Sequence, residues 1–208
     1  MRIFAVIAVG AALVAAATAA ALALTLTATP TAVAYGKAST LNGVLSTHKA
    51  NQTVKVDATE CGTTSSKTIG TVKTNTTGAY TMAVTPIVNT TYQATQKNTK
   101  SPAVAVTVTP VVKLQRVRRG SYAVSVTSAI DFKGKAILFQ RYSKTKKRWV
   151  QVKRIILTTF TAGPAKPTMV DSVSFKAKVA RRTRVRVSIG KLQAAPCYIA
   201  AVSKSLRA

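Results

Sequence analysis

The chain has 208 residues, with 31 lysines and arginines set against four acidic residues and one histidine, a formal charge of +27. That inventory leaves little for general acid–base catalysis, which draws on positioned His, Asp or Glu. It also falls short of zinc or calcium sites, which gather several His, Cys or carboxylate ligands. Abundant serine and lysine keep a serine–lysine dyad formally open, but no local pattern singles one out. No catalytic residue, metal ligand or cofactor is therefore assigned, and the length suits one domain or two small ones.

Residues 1–23 read as a secretory signal peptide. Arg2 supplies the positive start, Ile3 to Val14 the apolar core, and Ala21-Leu22-Ala23 a small-residue cleavage site. The rival is an uncleaved anchor, since the uncharged run continues to Leu26 and is long enough to span a bilayer. The alanine-rich second half favours cleavage, and with it a secreted, extracellular protein.

Beyond residue 24, short alternating stretches rich in Val, Thr, Ile and Tyr recur between Gly, Asn, Ser and Pro. In the first half they predict strands over 24–29, 38–46, 52–59, 67–74, 79–85, 90–96 and 103–109. Within "TNTTGAY" (74–80) a turn precedes a strand, and Gly78 is free to take a positive φ. Pro110 interrupts the pattern. The second half predicts strands over 112–117, 121–128, 134–142, 149–157, 172–178, 183–189 and 198–206. An internal repeat is faint but ordered: "NQTVKVDA" (51–58) matches "GKAILFQR" (134–141), "TIGTVKT" (68–74) matches "RWVQVKR" (148–154), and "NTTYQA" (89–94) matches "RTRVRV" (182–187). Seven short strands in each half predict an all-β protein of two tandem immunoglobulin-like β-sandwich domains, residues 24–110 and 111–208.

The block "GTVKTNTTGAYTMAVTPIVNTTYQA" (70–94) resembles the Ig-like repeats of secreted actinobacterial proteins. "GKAILFQRY", "RWVQVK" and "APCYIAAVSKSLR" in the second half resemble the companion domain of those proteins. The resemblance covers about residues 30 to 208. It implies fold and a secreted bacterial setting, and no catalytic residue.

The two cysteines fall in different halves, Cys61 in "TECGTTS" and Cys197 in "APCYIAA". Neither domain holds the pair needed for the intersheet bridge of antibody domains. In an oxidising exterior they predict one interdomain disulfide, with separate thiols or a bridge between chains as alternatives.

Charge is lopsided. Residues 24–110 carry seven lysines and no arginine against Asp57 and Glu60, whereas residues 111–208 carry 23 lysines and arginines against Asp131 and Asp171. In "RRTRVRVSI" (181–189), period-two alternation puts Val185, Val187 and Ile189 on a core face with Thr183, and Arg182, Arg184, Arg186 and Ser188 on the opposite face. Guanidinium groups at about 7 Å spacing along a strand suit repeated phosphates or carboxylates. Lys144, Lys146, Lys147 and Arg148 in "SKTKKR" predict a basic hairpin tip, and Arg116, Arg118 and Arg119 add a third cluster. Arg182, Arg184, Arg186, Lys144, Lys146, Lys147 and Arg148 form the candidate anion-binding set, against the plain alternative of a solvated basic surface.

Tyr142 and Trp149 flank the tip, at positions that suit either base stacking or a cross-strand pair. No major-groove helix, zinc finger or RNA-binding signature is present. Anionic cell-wall polymers, acidic polysaccharide or anionic lipid headgroups fit better than nucleic acid, which stays an alternative as extracellular DNA. The first functional reading is a secreted, non-catalytic binding or structural module at the cell surface. The runner-up is a passive spacer or assembly subunit that meets partners through strand edges. Three Asn-x-Thr sequons begin at Asn51, Asn75 and Asn89, His48 reads as an exposed turn residue, and "TAGPAKPT" (161–168) reads as a loop.

Overall fold

A computed structural model describes residues 23–208. The signal-peptide expectation for residues 1–23 falls almost wholly outside them. Nine strands precede Pro110: β1 (Thr27–Thr29), β2 (Ala32–Ala34), β3 (Ser39–Val44), β4 (Thr53–Glu60), β5 (Lys67–Lys73), β6 (Ala79–Val84), β7 (Thr90–Gln96), β8 (Thr99–Lys100) and β9 (Val104–Thr109). They build one sheet in the order β1-β3-β6 and another in the order β2-β9-β7-β4-β5, with β8 beside β7. Alternation makes the sandwich: Val54, Val56 and Ala58 of β4 turn inward, as do Tyr92 and Ala94 of β7, while Lys55 faces water. The chain changes sheets between β1 and β2 at Pro30, which has no N–H to give a ladder.

After Pro110 come β10 (Val111–Arg118), β11 (Ser121–Ser128), β12 (Ala136–Ser143), β13 (Arg148–Ile156), β14 (Thr159–Ala162), β15 (Met169–Lys176), β16 (Arg184–Ile189), a short helix α1 (Lys191–Ala194), β17 (Ala201–Val202) and β18 (Leu206–Arg207). The sheets run β10-β11-β15-β14 and β13-β12-β16-β17, with β18 also on β16. Each half is thus an immunoglobulin-like sandwich, and β13-β12-β16 repeats the order β5-β4-β7.

Register makes the repeat exact in two of its three segments. Val56 pairs with Ala94 in the first half and Phe139 with Val187 in the second, as the matches of 51–58 with 134–141 and of 89–94 with 182–187 require. Both ladders shift at the same place, between Val56 and Asp57 and between Phe139 and Gln140. The third match is slipped by three residues, because Gly70 pairs with Val56 as Lys153 pairs with Phe139. Its repeated "VK" led the alignment astray.

The predicted strands appear with ends moved by a few residues, and three short strands were not foreseen: β2, β8 and β14. The expected strand 198–206 is the chief correction. A short helix α1 over 191–194 precedes it, and 198–206 breaks into β17 and the start of β18 either side of Ser203. Ser203 occupies the gap by accepting the Val187 N–H on its Oγ at 3.0 Å while its own N–H reaches the Val187 carbonyl at 2.9 Å.

The segment 196–199 joins the halves. Cys197 is bonded to Cys61 across a separation of 136 residues, with Cα atoms 5.3 Å apart. Asn89 binds it twice, its N–H donating to the Cys197 carbonyl at 2.9 Å and its Nδ2 to the Pro196 carbonyl at 3.2 Å, while its Oδ1 accepts the Val108 N–H at 2.8 Å within the first half. The buried Tyr198 hydroxyl donates to the Ile87 carbonyl and accepts the Ala129 N–H, both at 2.7 Å. Burial pushes that phenol up to about 12, so the donated proton is held into alkaline solution. The 163–168 loop adds a contact, Tyr35 Oη to Thr168 Oγ1 at 3.0 Å. With Asn89 committed here, a glycan at this sequon is incompatible with the joint.

Two tight spots illustrate sequence acting through backbone. Gly78 takes φ +75°, and a Cβ there would sit 2.6 Å from the Leu45 carbonyl oxygen. Gly43 lies directly opposite Tyr80 in the β3–β6 ladder, and a Cβ would strike both the Tyr80 ring and the Thr25 carbonyl that the Tyr80 hydroxyl binds. Gly43→Ala is expected to cost about 1–3 kcal/mol of stability, by analogy with overpacking a core, read as a lower urea midpoint; an unchanged midpoint contradicts the Tyr80 crossing. The intact monomer is expected to weigh two protons less than the reduced chain, and reduction to remove about 3 to 5 kcal/mol by loop entropy. Full alkylation without a reductant would contradict the bridge.

Candidate functional site

Antiparallel pairing decides where the cations gather. β15 ends at Lys176, paired with Ser121, so the β10–β11 turn and the start of the 177–183 crossover lie at one end of the second sandwich. β16 begins at the far side of that crossover, and Val185 pairs with Arg141, which brings the 143–148 hairpin to the same end. Arg207 joins by pairing with Arg184. The opposite end carries the 129–135 loop, the 163–168 loop and segment 190–199, which face the first sandwich. All three basic clusters read from the sequence therefore meet at the pole remote from the joint.

Two recesses open on this pole, one at each end of the crossover. The larger, about 580 Å³, is lined by Arg141, Lys144, Arg181, Arg182, Arg184 and Arg207. The other, about 520 Å³, lies among Arg118, Arg119, Lys176 and Lys178. None of the segments that build them contains an acidic residue.

The arginine row itself differs from the expectation in one respect. Val185, Val187 and Ile189 are buried as alternation requires, and Arg184 and Arg186 face outward. Arg182 is not on the strand: it sits in a turn with φ +61°, where its N–H donates to the Ala208 carbonyl at 3.1 Å. The evenly spaced row of three thus becomes two strand arginines and one loop arginine. Thr183 also precedes the strand.

Arg186 serves a different purpose from its neighbours. Its Nε donates to Gln140 Oε1 at 2.9 Å and its guanidinium lies 4.2 Å from the Trp149 ring centre. Partial burial lowers its pKa, yet a guanidinium stays charged at any ordinary pH. Trp149 is directly opposite Tyr142, edge to face with centroids 5.6 Å apart, so these aromatics are a cross-strand pair on the outer face. Arg184 sits 5.8 Å from the same Trp149 ring and donates to Ser205 Oγ at 3.0 Å. Arg186 and Trp149 thus buttress the wall on which Arg184 stands. Lys146, Lys147 and Arg148 are exposed at the hairpin tip beside the recess that Lys144 lines.

Arg184 and Arg207 oppose each other directly, with no Asp or Glu side chain anywhere in their sheet. Like charges so placed are destabilising, by roughly 0.2–1 kcal/mol. An anion held between them turns that penalty into attraction. Sequence reading missed Arg141, Arg207, Lys176 and Lys178, which lie far apart in the chain and meet only through strand register.

The carboxylates lie elsewhere. Asp57 accepts the Thr68 hydroxyl at 2.5 Å, and His48 Nδ1 contacts the Thr77 carbonyl at 2.9 Å in an exposed turn of the first sandwich. Asp131 and Asp171 come together near the joint, where buried Asp171 Oδ2 accepts the Phe132 N–H at 2.9 Å and Oδ1 has no donor. Burial first, then neighbouring Asp131, push the Asp171 carboxyl up to about 6. The folded state therefore holds this proton more tightly than the unfolded chain. The stabilisation is complete below about pH 4 and is lost as pH rises through about 6. Asp171→Asn is expected to raise the melting temperature at pH 7.5 and to leave it nearly unchanged at pH 4; a lower value at pH 7.5 contradicts the assignment.

No protein-family model matches the chain, and no curated protein matches it. Among solved structures, a marsupial T cell receptor aligns with 91% of this chain and 100% of its own, at 10% identity and a TM-score of 0.35. So low a score carries no argument, and the fold rests on strand order and register. Among the described residues no helix is long and apolar enough to cross a membrane.

Proposed function

We propose that the protein is a non-catalytic, secreted binding module that holds anionic polymers at the cell surface through the basic pole of its second sandwich. The immunoglobulin-like fold is compatible with a binding or structural role and demands neither. The gathering of clusters at one end supports the finer reading, and the opposed Arg184 and Arg207 carry it. A surface shaped by solubility alone gains nothing from pairing two arginines across a ladder with no acidic side chain beside them. The joint at Cys61, Asn89 and Tyr198 holds the first sandwich at the other end, so the pole stays uncovered.

The compartment comes from the sequence. A signal peptide over 1–23 and a disulfide both suit an oxidising exterior, and the resemblance to actinobacterial Ig-like repeats supplies the bacterial setting. Cell-wall polymers and acidic polysaccharide are the partners such a setting offers. A second reading, assembly by strand addition, is favoured by β14, an uncharged edge strand whose four residues are all exposed, with Phe160 at 44%.

Salt separates the readings. At about 50 mM salt the protein is expected to stay on an immobilised anionic polymer and to leave it steeply as salt rises. Arg182, Arg184 and Arg207 changed together to Ser are expected to shift elution to much lower salt, whereas Phe160→Ser leaves it unchanged. No retention on any anionic polymer at low salt removes the binding function, and a discrete oligomer insensitive to salt would favour assembly.

A further inference from the structure

Resting on that reading, we infer that the pole is a track for one flexible phosphate polymer that enters both recesses in turn and crosses the 177–183 segment between them. Three observations point there. The recesses belong to different sheets, one beside the β10–β11 turn and the other beside the β12–β13 hairpin, and the crossover runs from one to the other, lining the first with Ala177 and Lys178 and the second with Arg181 to Thr183. The crossover is pinned at both ends, by the Ala177 N–H on the Gly120 carbonyl at 3.0 Å and by the Arg182 N–H on the Ala208 carbonyl at 3.1 Å. It is also basic along its course, with Lys178, Arg181 and Arg182.

The shape selects among polyanions. A flat bilayer or a stiff duplex rests on the rims of two separate hollows, while a flexible chain enters both. In the larger recess donors converge from three directions: the opposed Arg184 and Arg207, the hairpin side with Arg141 and Lys144, and the crossover with Arg181 and Arg182. A planar carboxylate offers two oxygens and satisfies one arginine fork. A phosphate offers oxygens in several directions and is held by arginines on different walls at once. Sheet layers lie about 10 Å apart, so a ligand shorter than that reaches one recess only. Longer chains gain the second contact as an intramolecular event, for which the avidity is roughly 10²–10⁴-fold.

The test is isothermal titration at fixed low salt with tripolyphosphate, a long linear polyphosphate and poly-glutamate of similar length. Three proteins are compared: the unaltered chain, an Arg182/Arg184/Arg207→Ser variant, and an Arg118/Arg119/Lys176/Lys178→Ser variant. All substituted side chains lie on the surface, and melting temperatures no lower than that of the unaltered chain check the folds. Long polyphosphate is expected to bind the unaltered protein at least ~100-fold more tightly than tripolyphosphate. Each variant should lose that gain and fall to near the short-chain affinity. Equal affinity for short and long chains, or loss in one variant alone, overturns the track while leaving polyanion binding in place. Poly-glutamate binding as tightly as polyphosphate overturns the choice of phosphate. No binding of any of the three overturns the track together with the function it rests on.

Discussion

The pairing of Phe139 with Val187 sets most of what is distinctive here. It puts the valines of β16 against the aromatic cluster of Tyr122, Phe139 and Phe175, whose ring centres lie 4.9 to 5.6 Å apart. The same register turns Arg184 and Arg186 outward and brings the 143–148 hairpin level with the 177–183 crossover. A slip of one residue exchanges the faces, sending guanidinium groups into the core and valines into water. The hydrophobic demand of three buried aliphatic side chains therefore decides where the arginines stand, and burial of a lone charge is costly enough to forbid the alternative.

Charge then shapes the surface by what it lacks. With 23 cations and two carboxylates after residue 110, the second sandwich cannot neutralise itself. One of those carboxylates is buried near the joint, so the far pole keeps its field undiminished. Within it, side chains sort by neighbours: half-buried Arg186 is held by Gln140 and Trp149, Arg184 is exposed but leans on Trp149 and Ser205, and Arg182 and Arg207 are exposed beside the recess they line. The joint completes the arrangement by fixing a quiet end and leaving a charged one. A single disulfide, one asparagine and one tyrosine hydroxyl suffice because each bridges segments more than a hundred residues apart.

Much of this was legible in the sequence. Two-residue alternation located the sandwich strands, and the faint repeats over 51–58 and 89–94 carried true register across 83 and 93 residues. Local periodicity failed where side chains act as backbone partners. Ser203 interrupts the last strand by filling a ladder position with its hydroxyl, and α1 is a single turn too short to show a helical period. β2 and β14 are three or four residues long, below the length at which alternation is informative. The candidate site was half readable: the clusters at 116–119, 144–148 and 181–186 are plain in the chain, but their convergence is a property of pairing. Arg207 and Lys176 carried no local signal at all, and Arg186 looked like its neighbours until Trp149 was placed beneath it.

Amide hydrogen exchange, with and without long polyphosphate at low salt, tests the polar site most directly. Slowed exchange confined to residues 117–121, 143–148, 177–183 and 206–208 is the expected result, with the β5 and β14 edges unchanged. Protection concentrated on those edges, or spread evenly over every basic segment of the chain, would contradict a binding pole.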